Sequence, residues 1–319
     1  MPAPRRPPLV YRGLVEAPAL EQTLREHPDD LATWLVYGDW LLERGDARGA
    51  LIQLEQRRAR ARPAEREALQ GEIDALEKRH RKQWDAELPA GVTVQARRYG
   101  FATKVVVEWT EGAPALIEQA LRERFVTALR IAPPGDAEDD AEDDDFGEDD
   151  FDEDGTIKPL PPLEVGELAT IDLSRLVELD LSYLNIGAPG AKALAASSSL
   201  GRGATLAALD LRYCNIGNRG LAELAACPRL GELRRLHLQR NGLTAAGVAS
   251  LRRFGKLAEL DLRYNKIGAA GAQALIEAPF IGSLARLQLH RADVSAAGAK
   301  KLSRAPQLPP ALRSYWRSV

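Results

Sequence analysis

The sequence predicts an α/β fold: a solenoid shaped as a horseshoe, parallel strands inside and helices outside, preceded by a small all-α domain. Three observations predict it. A leucine motif returns five times at nearly even spacing, an Ala- and Gly-bearing helical stretch follows each return, and residues 13–88 carry helical periodicity. The 319 residues are 28% charged and 45% hydrophobic, enough apolar material for one large or two modest domains. Composition excludes collagen, wholesale disorder and a disulfide scaffold. Two cysteines, Cys214 and Cys227, point to a reducing compartment and a cytoplasmic protein. No apolar run reaches membrane-span length, and the proline-rich start does not fit a secretory leader.

Residues 1–12 read as a disordered tail and 13–88 as about four helices. Leu31, Trp34, Leu35, Gly38, Leu41 and Leu42 fall on one helical face. Gly45 stops that helix and Asp46 can cap the next, which carries Leu51, Ile52 and Leu54. Pro63 starts a last helix with Leu69, Ile73, Leu76 and Trp84. Residues 89–132 read as degenerate capping repeats. Val105-Val106-Val107 is a strand, 113–123 a helix, and Val126 to Ile131 a strand, with Val105 and Leu129 one repeat pitch of 24 residues apart.

Charge divides the chain. Residues 1–135 hold 21 Lys/Arg against 20 Asp/Glu, and residues 155–319 hold 22 against 12. Between them, residues 136–154 hold fourteen Asp/Glu and no Lys/Arg. Such a run repels itself and cannot bury enough apolar surface to order, so 133–162 reads as an acidic disordered linker or insertion. Within it, Asp150, Asp152 and Asp154 match early positions of a calcium loop, a weak alternative because position 12 is Pro161 rather than Glu.

Residues 163–319 hold the repeats and a C-terminal cap. Leu176-x-x-Leu179-x-Leu181 recurs from Leu206, Leu233, Leu257 and Leu284, at spacings of 30, 27, 24 and 27 residues. Each unit continues to Ile186, Ile216, Leu243, Ile267 or Val294, and then to a glycine and a leucine in phase. L-x-L is a short strand, and the glycine-to-leucine stretch is a helix with an apolar i, i+4 face. Neither buries its leucines alone; stacked neighbours do. Pro306, Pro309 and Pro310 stop the last helix, and Tyr315 and Trp316 are placed to cover the terminal leucines.

These units resemble leucine-rich repeats, the longer ribonuclease-inhibitor-like subtype. The position that the resemblance makes a hydrogen-bonding ladder residue reads Leu184, Cys214, Asn241, Asn265 and Ala292, so Cys214 is expected buried in the ladder. The segment from Trp34 to Gly49, with Asp39-Trp40-Leu41 and Glu43-Arg44-Gly45-Asp46-Ala47-Arg48-Gly49, resembles the bacterial repeat-companion domain placed before such repeats. That resemblance implies architecture rather than chemistry. Asp39, Arg44, Asp46 and Arg48 read as an ion-pair and capping cluster tying two helices.

No nucleophile elbow, zinc-protease motif, P-loop or C-x-x-C is present, so the chain reads as no enzyme, with no cofactor and no metal centre. In a horseshoe the variable strand residues line the inner wall. They form three columns: Asp180, Asp210, His237, Asp261 and Gln288; Ser182, Arg212, Gln239, Arg263 and His290; Tyr183, Tyr213, Arg240, Tyr264 and Arg291. Tyrosines and arginines are the types enriched in binding hot spots. The candidate partner-binding set is Asp180, Tyr183, Arg212, Tyr213, His237, Arg240, Arg263, Tyr264 and Arg291, and the expected partner is an unidentified protein held by a monomer, with no membrane. Two alternatives stand beside it: polyanion binding by the basic repeats gated by the acidic linker, and regulation of an enzyme such as a GTPase or nuclease. Interleaved Asp and Arg on the inner wall argue against nucleic acid.

Overall fold

The computed structural model describes residues 17–135, 166–203 and 205–318. The tail at 1–12, the acidic stretch from 136 on, and Asp150, Asp152 and Asp154 lie outside the described residues. The chain forms two compact units. One takes the N-terminal region to Ala90 with Val94–Thr103 and Glu123–Phe125; the other takes Gly91–Thr93, Lys104–Arg122 and the chain from Val126 on.

The first unit is mainly helical: α1 (Ala17–Glu26), α2 (Leu31–Glu43), α3 (Arg48–Arg60) and α4 (Pro63–Asp85). Asp30 caps α2, its carboxylate accepting from the Ala32 and Thr33 amides. Gly45, at φ 73°, turns the chain after α2, and Asp46 accepts from the Arg48 amide at the start of α3. Helices α2 and α3 cross at glycines: a Cβ on Gly49 would stand 2.4 Å from the Gly38 carbonyl oxygen. β1 (Val92–Arg98) and β2 (Phe101–Glu108) join through Tyr99-Gly100, both at positive φ, as a two-residue hairpin requires. Trp34, Tyr37, Leu41, Ile52, Tyr99, Phe101 and Phe125 make the main core. Its buried polar tips are satisfied: Trp34 Nε1 donates to the Pro28 carbonyl and the Tyr37 hydroxyl to Glu21, both at 2.7 Å.

The four charged residues of the helical signature do not form one cluster. Arg48, buried, donates to Asp46 through Nε and makes a two-pronged bridge to Glu87 at 2.6 and 2.9 Å. Asp39 instead accepts from Gln53, and the Arg44 guanidinium lies 3.9 Å from the Trp40 ring centre.

The second unit is a run of parallel strands. β2, from Lys104 on, pairs with β3 (Ala128–Ala132); β4 (Glu178–Asp180), β5 (Ala208–Asp210), β6 (Arg235–His237), β7 (Glu259–Asp261) and β8 (Arg286–Gln288) follow in chain order. Between strands run α5 (Ala113–Ala120), α6 (Gly187–Ala196), α7 (Gly217–Ala226), α8 (Ala245–Val248) and α9 (Gly268–Ile276). Register aligns Val105, Leu129, Leu179, Leu209, Leu236, Leu260 and Leu287 in one row, and every member is buried. A second buried row, Leu181, Leu211, Leu238, Leu262 and Leu289, follows two residues on. The repeated glycine brings helices together: a Cβ on Gly220 would meet Ile216 at 2.9 Å and Ala191 at 3.0 Å.

The far end departs from the repeat. α10 (Arg291–Arg304) is broken at Ser295, whose φ of 64° and ψ of 166° are not helical. α11 (Pro310–Ser318) packs on it with Trp316 buried, while Tyr315 stays 49% exposed, so only the tryptophan covers the end. Among the described residues no helix is long and apolar enough to cross a membrane.

Candidate binding face

Strand alternation turns one set of side chains away from the leucine rows. One row of this face reads Arg130, Asp180, Asp210, His237, Asp261 and Gln288 in register. It is a fixed polar layer. Arg212 clasps Asp210, with Nε 2.9 Å from Oδ2, and Arg263 clasps Asp261, with Nη2 2.8 Å from Oδ2. His237 Nδ1 lies 3.1 Å from Asp210. Gln239, buried, donates to Asp261, and Asp180 accepts from the Ser182 amide at 2.9 Å.

Burial and charge set the titration of this layer. Asp180 is pushed above the usual carboxylate range by desolvation and by its neighbour Asp210. Desolvation acts on Asp210 in the same sense, but the His237 hydrogen bond and the Arg212 charge outweigh it and hold Asp210 low. Burial alone would lower His237; its bond to Asp210 and the charge of that carboxylate raise it instead. One of the two adjacent aspartates is thus held ionised and the other is biased toward its neutral form.

A neighbouring row, which the sequence columns omit, reads Lys104, Ala128, Glu178, Ala208, Arg235, Glu259 and Arg286. Alanines separate Lys104, Glu178 and Arg235, while Arg235, Glu259 and Arg286 are direct neighbours. Lys104 reaches over Ala128 to Glu178 at 2.6 Å, and Arg235 reaches over Ala208 to the other oxygen at 2.9 Å. The signal was available: the residue before the middle leucine is charged in four of the five motifs and alanine, Ala208, in the other.

The third column is a turn rather than a strand. Tyr183, Tyr213, Arg240 and Tyr264 all take positive φ, between 48° and 65°. Bulky residues rarely adopt this conformation, so the shared turn geometry imposes it. Directly after each of Tyr213, Arg240 and Tyr264 comes the ladder residue. Cys214 Sγ donates to the Leu181 carbonyl at 3.0 Å, and burial drives its thiol far above the ordinary range. Asn241 accepts from the Ile216 amide and donates to the Leu211 and Gln239 carbonyls. Asn265 accepts from the Asn241 and Leu243 amides and donates to the Leu238 carbonyl. At the next turn Ala292 has no side chain for the task, and Asp293 accepts from the Tyr264 and His290 amides in its place.

Of the candidate binding residues, Asp180 is buried, while Arg212, Arg263 and His237 are half-buried and engaged with Asp210 or Asp261. Tyr183 and Tyr213 stack at 4.9 Å with 12° between their planes. Tyr264 is 47% exposed and meets His290 edge-on at 4.8 Å. Arg240, in the same turn position between Tyr213 and Tyr264, makes no ion pair among the described residues. Arg291 is exposed at the start of α10 and does not share the left-handed turn. No cluster of His, Cys, Asp or Glu among the described residues is arranged to hold a metal ion.

Comparison with curated proteins finds none that matches the chain. A family model described as Leucine Rich repeat matches at residues 174–195, 204–225, 233–251 and 256–275, the four stretches opened by the motifs of Leu176, Leu206, Leu233 and Leu257. The leucine rows stay in register across the strands of that region, so residues 174–275 are similar to leucine-rich repeats in both sequence and strand pairing.

Proposed function

We propose that this chain is a non-enzymatic binding module whose repeats curve as a horseshoe, with the polar strand face as the inner wall. A protein partner docks along the turn column, on Tyr183, Tyr213, Arg240 and Tyr264, and on Arg291 beyond its end. The helical N-terminal unit acts as a repeat-companion module of a cytoplasmic, bacterial, monomeric protein. The observation that carries this reading is the column itself: tyrosines or arginine at one left-handed turn position in four successive repeats, with Tyr264 half exposed. Large, rigid side chains beside a preformed polar layer are what hot spots use. The reading places the anchors at the edge of the face rather than across it. Arg212 and Arg263 are neutralised by Asp210 and Asp261, which also leaves this layer poorly suited to a polyanion.

The test is site-specific photocrosslinking in the native cell. A photoreactive side chain at Tyr264 should capture one discrete protein, and the pair Tyr213→Ala with Arg240→Ala should remove that adduct. A probe at Ala222, on α7, should capture none. Equal capture from both positions, or capture that survives the double substitution, rejects the face.

A further inference from the structure

The stretch 55–67 around the turn between α3 and α4, in the first unit, carries Arg57, Arg58, Arg60, Arg62 and Arg66 against Glu55, Glu65 and Glu67. Arg57, Arg60, Arg62 and Arg66 are exposed. Arg66 lines an open depression of about 500 Å³ together with Arg58, Ala59, Glu67 and Gln70. None of the five arginines makes an ion pair with a carboxylate among the described residues. Arg58 instead donates to Gln70, Arg66 to the Ala61 carbonyl, and Glu65 is used by the Arg62 backbone amide.

Helix stability accounts for part of this charge only. Arg57, Arg58 and Arg60 occupy the last turn of α3, where cations complement the helix dipole. Arg62 and Arg66 stand at the first turn of α4, where the dipole is positive and carboxylates are the stabilising residues. Two arginines there oppose the local electrostatics, and they extend the positive charge of α3 across the turn.

From this arginine-rich patch without close ion pairs we infer that the α3–α4 turn is a docking site for the phosphate backbone of a nucleic-acid duplex. The patch is arginine throughout, and a guanidinium fork matches phosphate oxygens in a way an ammonium does not. Its exposed uncharged residues, Ala59, Pro63, Ala64 and Ala68, give no apolar anchor for a membrane or a protein hot spot, and Glu65 and Glu67 are exposed beside them. No aromatic side chain is present for stacking unpaired bases, so contact is with backbone, and the duplex has the denser phosphates. Binding is therefore independent of sequence and steep in salt. This site is separate in residues from the turn column of the repeats.

The experiment is fluorescence anisotropy of a labelled 20-base-pair DNA duplex with the full chain, titrated at several salt concentrations. The quadruple variant Arg57→Gln, Arg60→Gln, Arg62→Gln and Arg66→Gln spares Arg58, and thermal melting confirms its fold. Affinity should fall roughly tenfold or more at low salt, and the log–log salt slope should shrink by about 3 to 4. Replacing the same four residues by Lys should retain most of the slope, and Tyr213→Ala with Arg240→Ala should leave binding unchanged. Unchanged affinity and slope in the quadruple Gln variant overturn the assignment. So does no duplex binding by the native chain, or tighter binding to anionic phosphatidylserine vesicles or to poly-glutamate than to duplex.

Discussion

At the residue scale, the histidine of the polar layer is the most sensitive reporter. His237 is raised above its ordinary 6.5 in the folded chain by its bond to Asp210, although burial opposes this. A group raised on folding contributes its full stability below its unfolded value and loses it as pH climbs through the folded one. The groups facing it are Asp210, Asp261 and Arg212; Asp210 is held low, so it stays ionised throughout this window. The stability difference between the native chain and His237→Gln should be largest below pH 6.5 and should fade above it, read from urea midpoints. A difference that does not change with pH would show that the imidazole acts by packing alone. Asp293 illustrates the same scale at the far end. A carboxylate accepts the amides of Tyr264 and His290 where an asparagine would continue the ladder, and it closes the row because it has no donor to pass on.

At the element scale, two kinds of close approach set the spacing of helices. In the repeats, the glycine column lets each helix lie against its neighbour. In the first unit, Gly49 lets α3 cross α2 at Gly38. The atom that a Gly49→Ala methyl would strike is backbone oxygen, which no rotamer change moves. The substitution should cost about 2 kcal/mol or more through separation of the two helices. Gly71→Ala, in the exposed middle of α4 with nothing near its Cβ, should stabilise slightly. Paired thermal melts of the two variants decide this; equal effects would refute the crossing argument.

At the scale of the whole molecule, each repeat leans on its neighbours, so the ends limit the array. Trp316→Ala strips the buried cover from α10 and should cost about 3 kcal/mol. Hydrogen exchange should then rise in α10 and α11 first, while β4 to β6 keep their protection. Uniform loss of protection would mean that the cap is not a local device. The repeats were legible in the sequence because Leu179, Leu209, Leu236, Leu260 and Leu287 answer to one burial rule in every unit. Val105 and Leu129, one pitch apart in sequence, are direct partners in the sheet for the same reason. The helical N-terminal region was legible from its periodicity and caps. The candidate face was less so. Alternation names which residues leave the leucine rows, but not that Arg212 and Arg263 fold back onto their own strands' aspartates. Nor does it tell that the third column sits in a turn, since tyrosine at that position carries no signature of a left-handed backbone.

That turn separates two demands that usually coincide at one position. Glycine reaches positive φ without the clash a Cβ brings, so for the backbone alone it would serve at 183, 213, 240 or 264 about as well as what is there. Yet tyrosine or arginine occupies all four. Exchanging one for glycine would leave the architecture standing and blank a single contact, so the edge of the array can be rewritten letter by letter without disturbing the spine that holds it.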